Sequence, residues 1–363
     1  MRLFVLLVGL ALIPGCGGSK ADAPVDLSIE NPKQAEQESQ AQATDVETPE
    51  NARKLLVQAA RMAKQGLVGK SAELLSHAIS MNPEDPELYI ARAEVYGIMR
   101  EDASALADYS TAVRVRPSDA SIHNRRGFFL LSRNEFMRAV KDFSEAIRLN
   151  PDSPQAHNNR GLVYLSLNEP KKALADFSKA VKLDPKYADA WNNRGFAQYK
   201  QKQYKAALGD LTKAIQIKPD YINALNNRGL VYLAMKNHAA VVSDMTAAIK
   251  ASPNEIKLFR ARRTAYLELK DFDKARQDAS KIEWLVRLAS MTQAIDKSPL
   301  EFRNYMQRGL YLADGGEHEA AVRDFSRAAQ LNNSTSEPLV ARARSSRALD
   351  KSGEAIRALA TVI

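Results

Sequence analysis

The feature that most constrains this chain is a proline that recurs every 34 residues. It stands at six successive positions: Pro83, Pro117, Pro151, Pro185, Pro219 and Pro253. A fixed period of this length is typical of solenoids, in which each repeat buries its apolar face only against its neighbours. The period therefore predicts an array of copies of one structural unit, and it places function on an extended surface.

Small and large residues alternate in a fixed order within the period. The repeat that begins at residue 151 contains Gly161, Tyr164, Ala173, Phe177 and Ala180, followed by Pro185. The next repeat contains Trp191, Gly195, Ala207 and Ala214, followed by Pro219. Small residues let two antiparallel helices approach, large residues fill the remaining gap, and proline ends the second helix. This pattern resembles the tetratricopeptide family of 34-residue helix-turn-helix repeats. The resemblance implies an all-α, right-handed superhelical solenoid.

Counting in this register gives nine repeats after residue 48. Their ranges are 49–82, 83–116, 117–150, 151–184, 185–218, 219–252, 253–298, 299–332 and 333–363. The first repeat lacks the large residues and the last stops short of a full second helix, as is typical of terminal repeats.

The seventh repeat is 12 residues longer than the others, and the extra stretch aligns with residues 282–293. Trp284, Leu288 and Met291 recur there at helical spacing, which predicts a second helix prolonged by about three turns, or roughly 18 Å. Its apolar stripe either protrudes to bind a partner or a second copy, or packs on the following repeat.

The N-terminus resembles the signal peptide of bacterial lipoproteins. Arg2 precedes an apolar run over residues 3–13, and the sequence Ile13-Pro14-Gly15-Cys16 resembles a lipobox. The run is shorter than the roughly 20 residues that a membrane-spanning helix needs. We therefore expect residues 1–15 to be a signal peptide and Cys16, the single cysteine, to carry acyl chains such as palmitate. This predicts a protein anchored by lipid to a bacterial membrane and facing the periplasm or the exterior.

A tether and a basic array follow the signal. Residues 17–48 contain two lysines, seven acidic residues and almost no aromatic residues, so 16–48 is predicted to be a disordered linker. The whole chain carries a net charge of +9, and most of its excess cations lie in the repeats. A basic array favours anionic partners such as envelope polymers or lipids.

An arginine ladder and an aspartate ladder run through the array. Arginine recurs in the first helix of eight repeats: Arg92, Arg126, Arg160, Arg194, Arg228, Arg262, Arg308 and Arg342. Aspartate follows sixteen residues later in seven of them: Asp108, Asp142, Asp176, Asp210, Asp244, Asp278 and Asp324. This pairing predicts a structural salt bridge between helices, with a basic ligand stripe as the alternative. Paired arginines leave little free charge, so nucleic acid is not an expected partner.

A second ladder consists of asparagines that precede the arginines. Its members are Asn124, Asn158, Asn159, Asn192, Asn193, Asn226 and Asn227. Asparagine is a poor helix former, so its repetition within helices indicates a specific role. The tetratricopeptide resemblance implies that first helices line a concave groove, where similar asparagines in some members bind the backbone of an extended peptide. Phe196 and Tyr199 would line this groove. Lys257 and Arg260 would form a subsite for an anionic group of the ligand.

The apolar neighbours of the asparagine ladder have two interpretations. They are Phe128, Leu131, Leu162, Leu165, Leu230 and Leu233, together with Phe196 and Tyr199. They either form apolar shelves beside the amides or belong to the core between repeats, with the asparagines hydrated or hydrogen-bonded within the array.

No motif in the sequence points to catalysis. The five histidines are His77, His123, His157, His238 and His318, and none belongs to a Cys-His metal spacing. The sequence contains neither a Gly-rich phosphate loop after a strand nor a nucleophile elbow. We therefore predict a non-enzymatic scaffold or adaptor without a cofactor, which binds a protein or peptide in its groove. The alternatives are a binder of anionic envelope polymer or lipid, and a non-catalytic subunit of an enzyme complex.

Overall fold

Helices make up all the regular structure of the described residues. The computed structural model describes residues 48–332 and 334–350. Its helices are α1 (Pro49–Lys64), α2 (Val68–Met81), α3 (Pro86–Met99), α4 (Asp102–Val115), α5 (Ala120–Ser132), α6 (Phe136–Leu149), α7 (Pro154–Ser166), α8 (Pro170–Leu183), α9 (Ala188–Lys200), α10 (Tyr204–Ile217), α11 (Ile222–Ala234), α12 (His238–Ala251), α13 (Ile256–Glu268), α14 (Phe272–Lys297), α15 (Phe302–Asp314), α16 (His318–Leu331) and α17 (Glu337–Ala348). The predicted all-α fold is confirmed.

The helices pair as helix-turn-helix repeats. Odd-numbered helices are the first helices of repeats and even-numbered helices are the second, so α17 is the first helix of the ninth repeat. The predicted signal peptide, Cys16 and nearly all of the predicted linker lie outside the described residues, as does the end of the ninth repeat.

The described residues form two compact regions, which divide between residues 91 and 92. In the first region, Ala52 of α1 and Ala78 of α2 pack with Leu88 in a small core. In the second region, apolar clusters follow one another along the array. Most clusters join the two helices of a repeat to the first helix of the next, as Leu165 of α7 and Phe177 of α8 do with Ala197 of α9.

The turn between the two helices of a repeat contains one residue with left-handed backbone geometry. These residues are Arg100, Asn134, Asn168, Lys202, Lys236 and Lys270, with φ between 57° and 63°. At Lys202, the turn is closed by the backbone N–H of Gln203, which donates to the carbonyl of Gln198 at 2.9 Å. The turn therefore ends the first helix without proline or, in most repeats, glycine.

Glycine in the first helix lets the second helix approach closely. A Cβ added at Gly161 would lie 2.6 Å from the ring of Phe177, which is fully buried. At Gly229 the nearest atom would be the terminal methyl carbon of Met245, also at 2.6 Å. An aromatic ring packed against a helix cannot retreat, whereas a methionine can change rotamer.

We therefore predict opposite results for alanine at these two glycines. Gly161→Ala adds overpacking of about 1–3 kcal/mol, which outweighs a helix-propensity gain of about 0.5–1 kcal/mol. Its free energy of unfolding should fall by about 1 kcal/mol. Gly229→Ala should leave the stability unchanged or raise it, because Met245 can move. Urea denaturation followed by circular dichroism measures both, and equal losses would contradict this account.

The seventh repeat contains one continuous helix, α14, of 26 residues. The following repeat packs on the C-terminal part of this helix. Trp284 stacks on Tyr311 with ring centroids 5.8 Å apart, and Trp284 and Leu288 pack against the core of the eighth repeat. The apolar stripe of the insertion is therefore engaged within the chain. This removes the feature on which the prediction of self-association through residues 282–293 relied.

Candidate peptide-binding surface

Each arginine of the ladder binds the aspartate of its own repeat with two hydrogen bonds. The guanidinium Nε and Nη2 donate to the two carboxylate oxygens over 2.6–3.0 Å in seven repeats, from Arg92–Asp108 to Arg308–Asp324. The seven aspartates are 3–7% exposed. Bidentate, charge-assisted pairs of this kind are among the strongest polar contacts in proteins. The pairs fix the second helix of each repeat against the first.

The same arginines also reach the preceding repeat. In six repeats the guanidinium Nη1 donates to a Ser or Thr hydroxyl sixteen residues earlier: Ser110, Ser144, Ser178, Thr212, Thr246 and Thr292. These distances run from 3.0 to 3.4 Å. Sequence reasoning missed these hydroxyls, although a Ser or Thr two residues after each aspartate is a readable signal. Each of these six arginines thus links two repeats.

His157 adds a further hydrogen bond to one of these pairs. Its Nδ1 lies 3.3 Å from Asp176 Oδ1, and its Nε2 lies 3.1 Å from the carbonyl oxygen of Pro151. Burial raises the pKa of Asp176, but hydrogen bonds from Arg160 and His157 outweigh burial and hold this pKa below its usual range. The hydrogen bond to Asp176 in turn raises the pKa of Arg160. The histidine at this position is therefore a packing and hydrogen-bonding residue.

Acid should destabilise the array partly through Asp176. Because its pKa is lower in the folded than in the unfolded chain, its stabilisation is complete above the unfolded pKa of about 3.9. This stabilisation disappears as the pH falls through the folded pKa. We expect Asp176→Asn to weaken the fall of the urea midpoint between about pH 5 and pH 2. Asp152→Asn is the control, because the Asp152 side chain is 81% exposed. The urea midpoint of this variant should depend on pH as that of the wild type does.

The asparagines form a continuous relay of side-chain hydrogen bonds across four repeats. The Nδ2 of Asn159, Asn193 and Asn227 donates to Asn124, Asn158 and Asn192 of the preceding repeats over 2.9–3.1 Å. Within a repeat, Asn192 Nδ2 donates to Asn193 Oδ1 at 3.1 Å, and Asn158 makes a longer contact of 3.5 Å with Asn159. Asn158 Nδ2 also donates to the Tyr187 hydroxyl. The asparagines are therefore hydrogen-bonded within the array.

The relay has a buried part and a half-buried part. Asn158, Asn159 and Asn192 are buried. The others are half-buried: Asn124, Asn193, Asn226 and Asn227. Asn226 lies next to the end of the relay, because Ala261 stands where the following repeat would supply an asparagine. The half-buried amides are the members of the ladder that a ligand can reach.

Most apolar neighbours of the ladder belong to the core between repeats. Leu131 is buried, while Phe128, Leu162, Leu165 and Leu233 pack against core clusters. Phe196 and Tyr199 are half-buried, with ring centroids 6.2 Å apart. Tyr199 also packs on a core cluster, and burial raises its pKa. Leu131 is therefore a core residue. Phe196 and Tyr199 remain the predicted apolar residues of the groove.

Lys257 and Arg260 lie on α13 and are both exposed. Lys257 Nζ lies 3.7 Å from Glu255 Oε1. Across residues 48–332 and 334–350, no group of His, Cys, Asp or Glu side chains could hold a metal ion. Over the same part of the chain, no helix has the length and apolar character to span a bilayer.

Comparison with known families agrees with the geometry. Tetratricopeptide repeat models match residues 154–187, 188–221 and 222–255, and a further model of this repeat matches residues 129–168. Residues 129–255 are tetratricopeptide repeats. Proteins with tetratricopeptide repeats generally act as scaffolds for protein interactions. No curated protein sequence matches the chain significantly.

Several solved structures are similar to this chain. The APC/C hetero-tetramer Cut9-Hcn1 superposes with a TM-score of 0.52 at 21% identity, over 64% of this chain. The chain spans 46% of that relative's length. YrrB, a TPR protein with an unusual peptide-binding site, has a TM-score of 0.42 at 24% identity, over 53% of this chain and 99% of its own. PilF of Pseudomonas aeruginosa has a TM-score of 0.49 at 19% identity, over 62% of this chain and 98% of its own.

Proposed function

We propose that this protein is a non-enzymatic scaffold of the bacterial cell envelope that binds an extended peptide along its asparagine relay. The observation that carries the proposal is the set of half-buried amides on the first helices α5, α9 and α11, at Asn124, Asn193, Asn226 and Asn227, joined through the buried asparagines of α7. An amide offers both a donor and an acceptor, which a peptide backbone also presents. Such a set suits recognition of backbone with little dependence on side-chain sequence.

The relay supports this role because it fixes the amides before any ligand arrives. Asn193 receives a hydrogen bond from Asn192 and donates one to Asn158. These two bonds leave Asn193 with one N–H and part of its carbonyl capacity for a ligand. Groups that are already ordered lose less conformational entropy on binding, so preorganisation favours affinity. Phe196 and Tyr199 would contact the apolar side chains of the peptide.

The envelope location rests on the N-terminal sequence. Lipid on Cys16 would hold the protein at a membrane surface, since each buried methylene contributes about 0.8 kcal/mol. Mass spectrometry of the mature N-terminus tests this part of the proposal. A diacyl- or triacyl-modified Cys16 is the expected result, and an unmodified Met1 would exclude the anchor while leaving peptide binding open.

Two alanine variants should separate binding from stability within the relay. Asn192→Ala leaves the Asn227 donor and the Asn193 acceptor without partners, so the free energy of unfolding should fall by about 1–3 kcal/mol. Asn226→Ala should leave the urea midpoint unchanged, because Asn226 makes no side-chain hydrogen bond with the described residues. Only binding should suffer in this variant.

Binding can be measured by selecting peptides on the wild-type array from a displayed random library. A selected peptide should bind Asn226→Ala and Asn124→Ala at least about tenfold more weakly, a loss of about 1.4 kcal/mol. Lys205→Ala, an exposed substitution on a second helix, serves as the control. Unchanged affinity in both asparagine variants would show that the ladder is purely structural.

A further inference from the structure

The seventh repeat carries arginines at three positions where the other repeats carry different residue types. Arg260 aligns with Asn124, Asn158, Asn192 and Asn226. Arg263 aligns with Gly127, Gly161, Gly195 and Gly229. Arg276 aligns with Leu106, Val140, Leu174, Leu208 and Val242. All three arginines are exposed, whereas their counterparts are buried or half-buried.

The exposure of this face follows from the length of α14. In a regular repeat, Leu174 and Leu208 pack in clusters with Ala197 and Val231 of the next repeat. In the seventh repeat, the first helix of the next repeat, α15, packs near the C-terminal end of α14 instead. Asn304 Nδ2 donates to the carbonyl of Ala294, and Arg308 binds Thr292. The twelve extra residues thus place the eighth repeat further along α14, and residues 272–274, 276 and 277 at the start of α14 are exposed.

Neighbouring side chains show the same uncovering. Leu267 is 41% exposed, whereas its counterpart Leu131 in the third repeat is 8% exposed. Leu269 and Phe272, in the turn that follows, are also exposed. Ala279 stands where the other repeats place Phe143, Phe177, Leu211, Met245 or Phe325. The large side chain of Arg263 therefore lies opposite a small residue, the reverse of the glycine arrangement.

We call Arg260, Arg263, Arg276, Leu267 and Phe272 the arginine step. None of its three arginines forms an ion pair with a described residue. A guanidinium group matches a carboxylate in bidentate geometry, so three of them on one face favour an anionic partner. The exposed Leu267 and Phe272 beside them favour a partner that also has apolar side chains.

We propose that the arginine step binds an acidic amphipathic helix of a partner protein. In regular repeats the corresponding face holds the first helix of the next repeat, for example the 13-residue α9 or α11. At Arg276 the step therefore lies where a regular repeat packs on the next one. Glutamates on one side of the docked helix would bind the arginines, and apolar residues on the other would cover Leu267 and Phe272. The step contains none of the asparagines of the relay, and only Arg260 belongs to both the step and the predicted groove. The proposal for the step does not depend on peptide binding by the relay.

Fluorescence anisotropy tests this proposal with a stapled 13-residue helical peptide as the probe. The peptide carries three glutamates on one face and leucines beside them, and a second probe has glutamines in place of the glutamates. The wild-type chain should bind the glutamate peptide at least tenfold more tightly than the glutamine peptide, with affinity that falls as salt rises. The triple variant Arg260→Gln, Arg263→Gln, Arg276→Gln should lose that preference.

The matched control removes the same charge elsewhere. Lys200→Gln, Lys202→Gln, Lys205→Gln changes three exposed lysines around the turn of the fifth repeat and should bind the peptide as the wild type does. Equal binding by the arginine variant would overturn the proposal. Tighter binding of a single-stranded oligonucleotide or of anionic vesicles, lost in the same variant, would also overturn it and assign the step to that partner. Leu267→Ser should weaken binding of the peptide and leave binding of the oligonucleotide unchanged.

Discussion

Replacing Arg194 with alanine is expected to lower the free energy of unfolding by about 3 kcal/mol. Arg194 donates to both carboxylate oxygens of Asp210, at 2.6 and 2.7 Å, and Asp210 is 7% exposed. Removal of the guanidinium leaves a buried carboxylate without its counter-charge, which costs more than the pair itself contributes. The variant also loses the hydrogen bond from Arg194 to Ser178 of the preceding repeat. Both losses fall on the middle of the array.

Arg342→Ala is the matched control for this prediction. Arg342 holds the same position in the ninth repeat, but the residue sixteen later is Ala358 instead of aspartate. Its removal leaves no carboxylate without a partner, so stability should change by less than about 0.5 kcal/mol. The measurement is urea denaturation, together with a melting temperature that falls by about 6–12 °C for Arg194→Ala. Equal midpoints for Arg194→Ala and the wild type would show that the ladder contributes little to stability.

The double variant Arg194→Ala, Asp210→Ala extends this measurement. If the single change acts through the orphaned carboxylate, removal of Asp210 should recover part of the lost stability. A double variant that is less stable than either single variant would instead indicate that packing by the two side chains dominates.

The repeat fold could be predicted from the sequence because its determinants recur. One copy of Gly161 or Phe177 would mean little, but the same types at the same offset in several repeats identify the contact between helices. The Arg–Asp pairs could be predicted for the same reason. Both residues are present in seven repeats, whereas the first repeat has Gln58 and Leu74 in their places. A chain with internal repeats thus reveals some of its contacts without any relative.

The details of the asparagine ladder could not be predicted in this way. Sequence spacing places Asn193 and Asn158 on successive first helices, but it does not fix the distance between their amides. That distance depends on how α9 packs on the preceding repeat, where Ala197 contacts the core cluster of Phe177. The sequence therefore left open whether the amides bind one another or a ligand, and the structure shows that they bind one another at 2.9 Å.

The uncovered face of the seventh repeat was missed for a different reason. Arg263 and Arg276 stand out only when they are compared with Gly229 and Val242, position by position. The exposure of Arg276 depends on where the eighth repeat packs along α14, whereas Arg263 lies opposite Ala279, where the other repeats have a large residue. Thr292 reveals this, because its hydroxyl accepts a hydrogen bond from Arg308, whereas in regular repeats the accepting Ser or Thr stands two residues after the aspartate. An alignment of the repeats that included these Ser and Thr positions would have located the displacement of the eighth repeat along α14.

Trp284→Ala is expected to uncouple the eighth repeat from the rest of the array. The indole stacks on Tyr311 with an interplanar angle of 16°, and it lies against Gly315, where an added Cβ would be 2.7 Å from the ring. Truncation of this side chain should weaken the contact between α14 and α15 by about 2–3 kcal/mol. In a solenoid, stability is the sum of terms within repeats and between neighbours, so loss of one interface affects one side of the array.

Hydrogen exchange measured by mass spectrometry can detect this local effect. Amides of α15 and α16 should exchange about 30-fold faster or more in Trp284→Ala, since 2 kcal/mol corresponds to that ratio. Amides of α9 and α10 should keep their wild-type protection, because three helices, α11 to α13, separate them from the weakened interface. Val286→Ala is the control on the same helix, since Val286 is 46% exposed. Faster exchange along the entire array would mean that the repeats unfold as one cooperative body, and Trp284 would then stabilise the whole array instead of one junction.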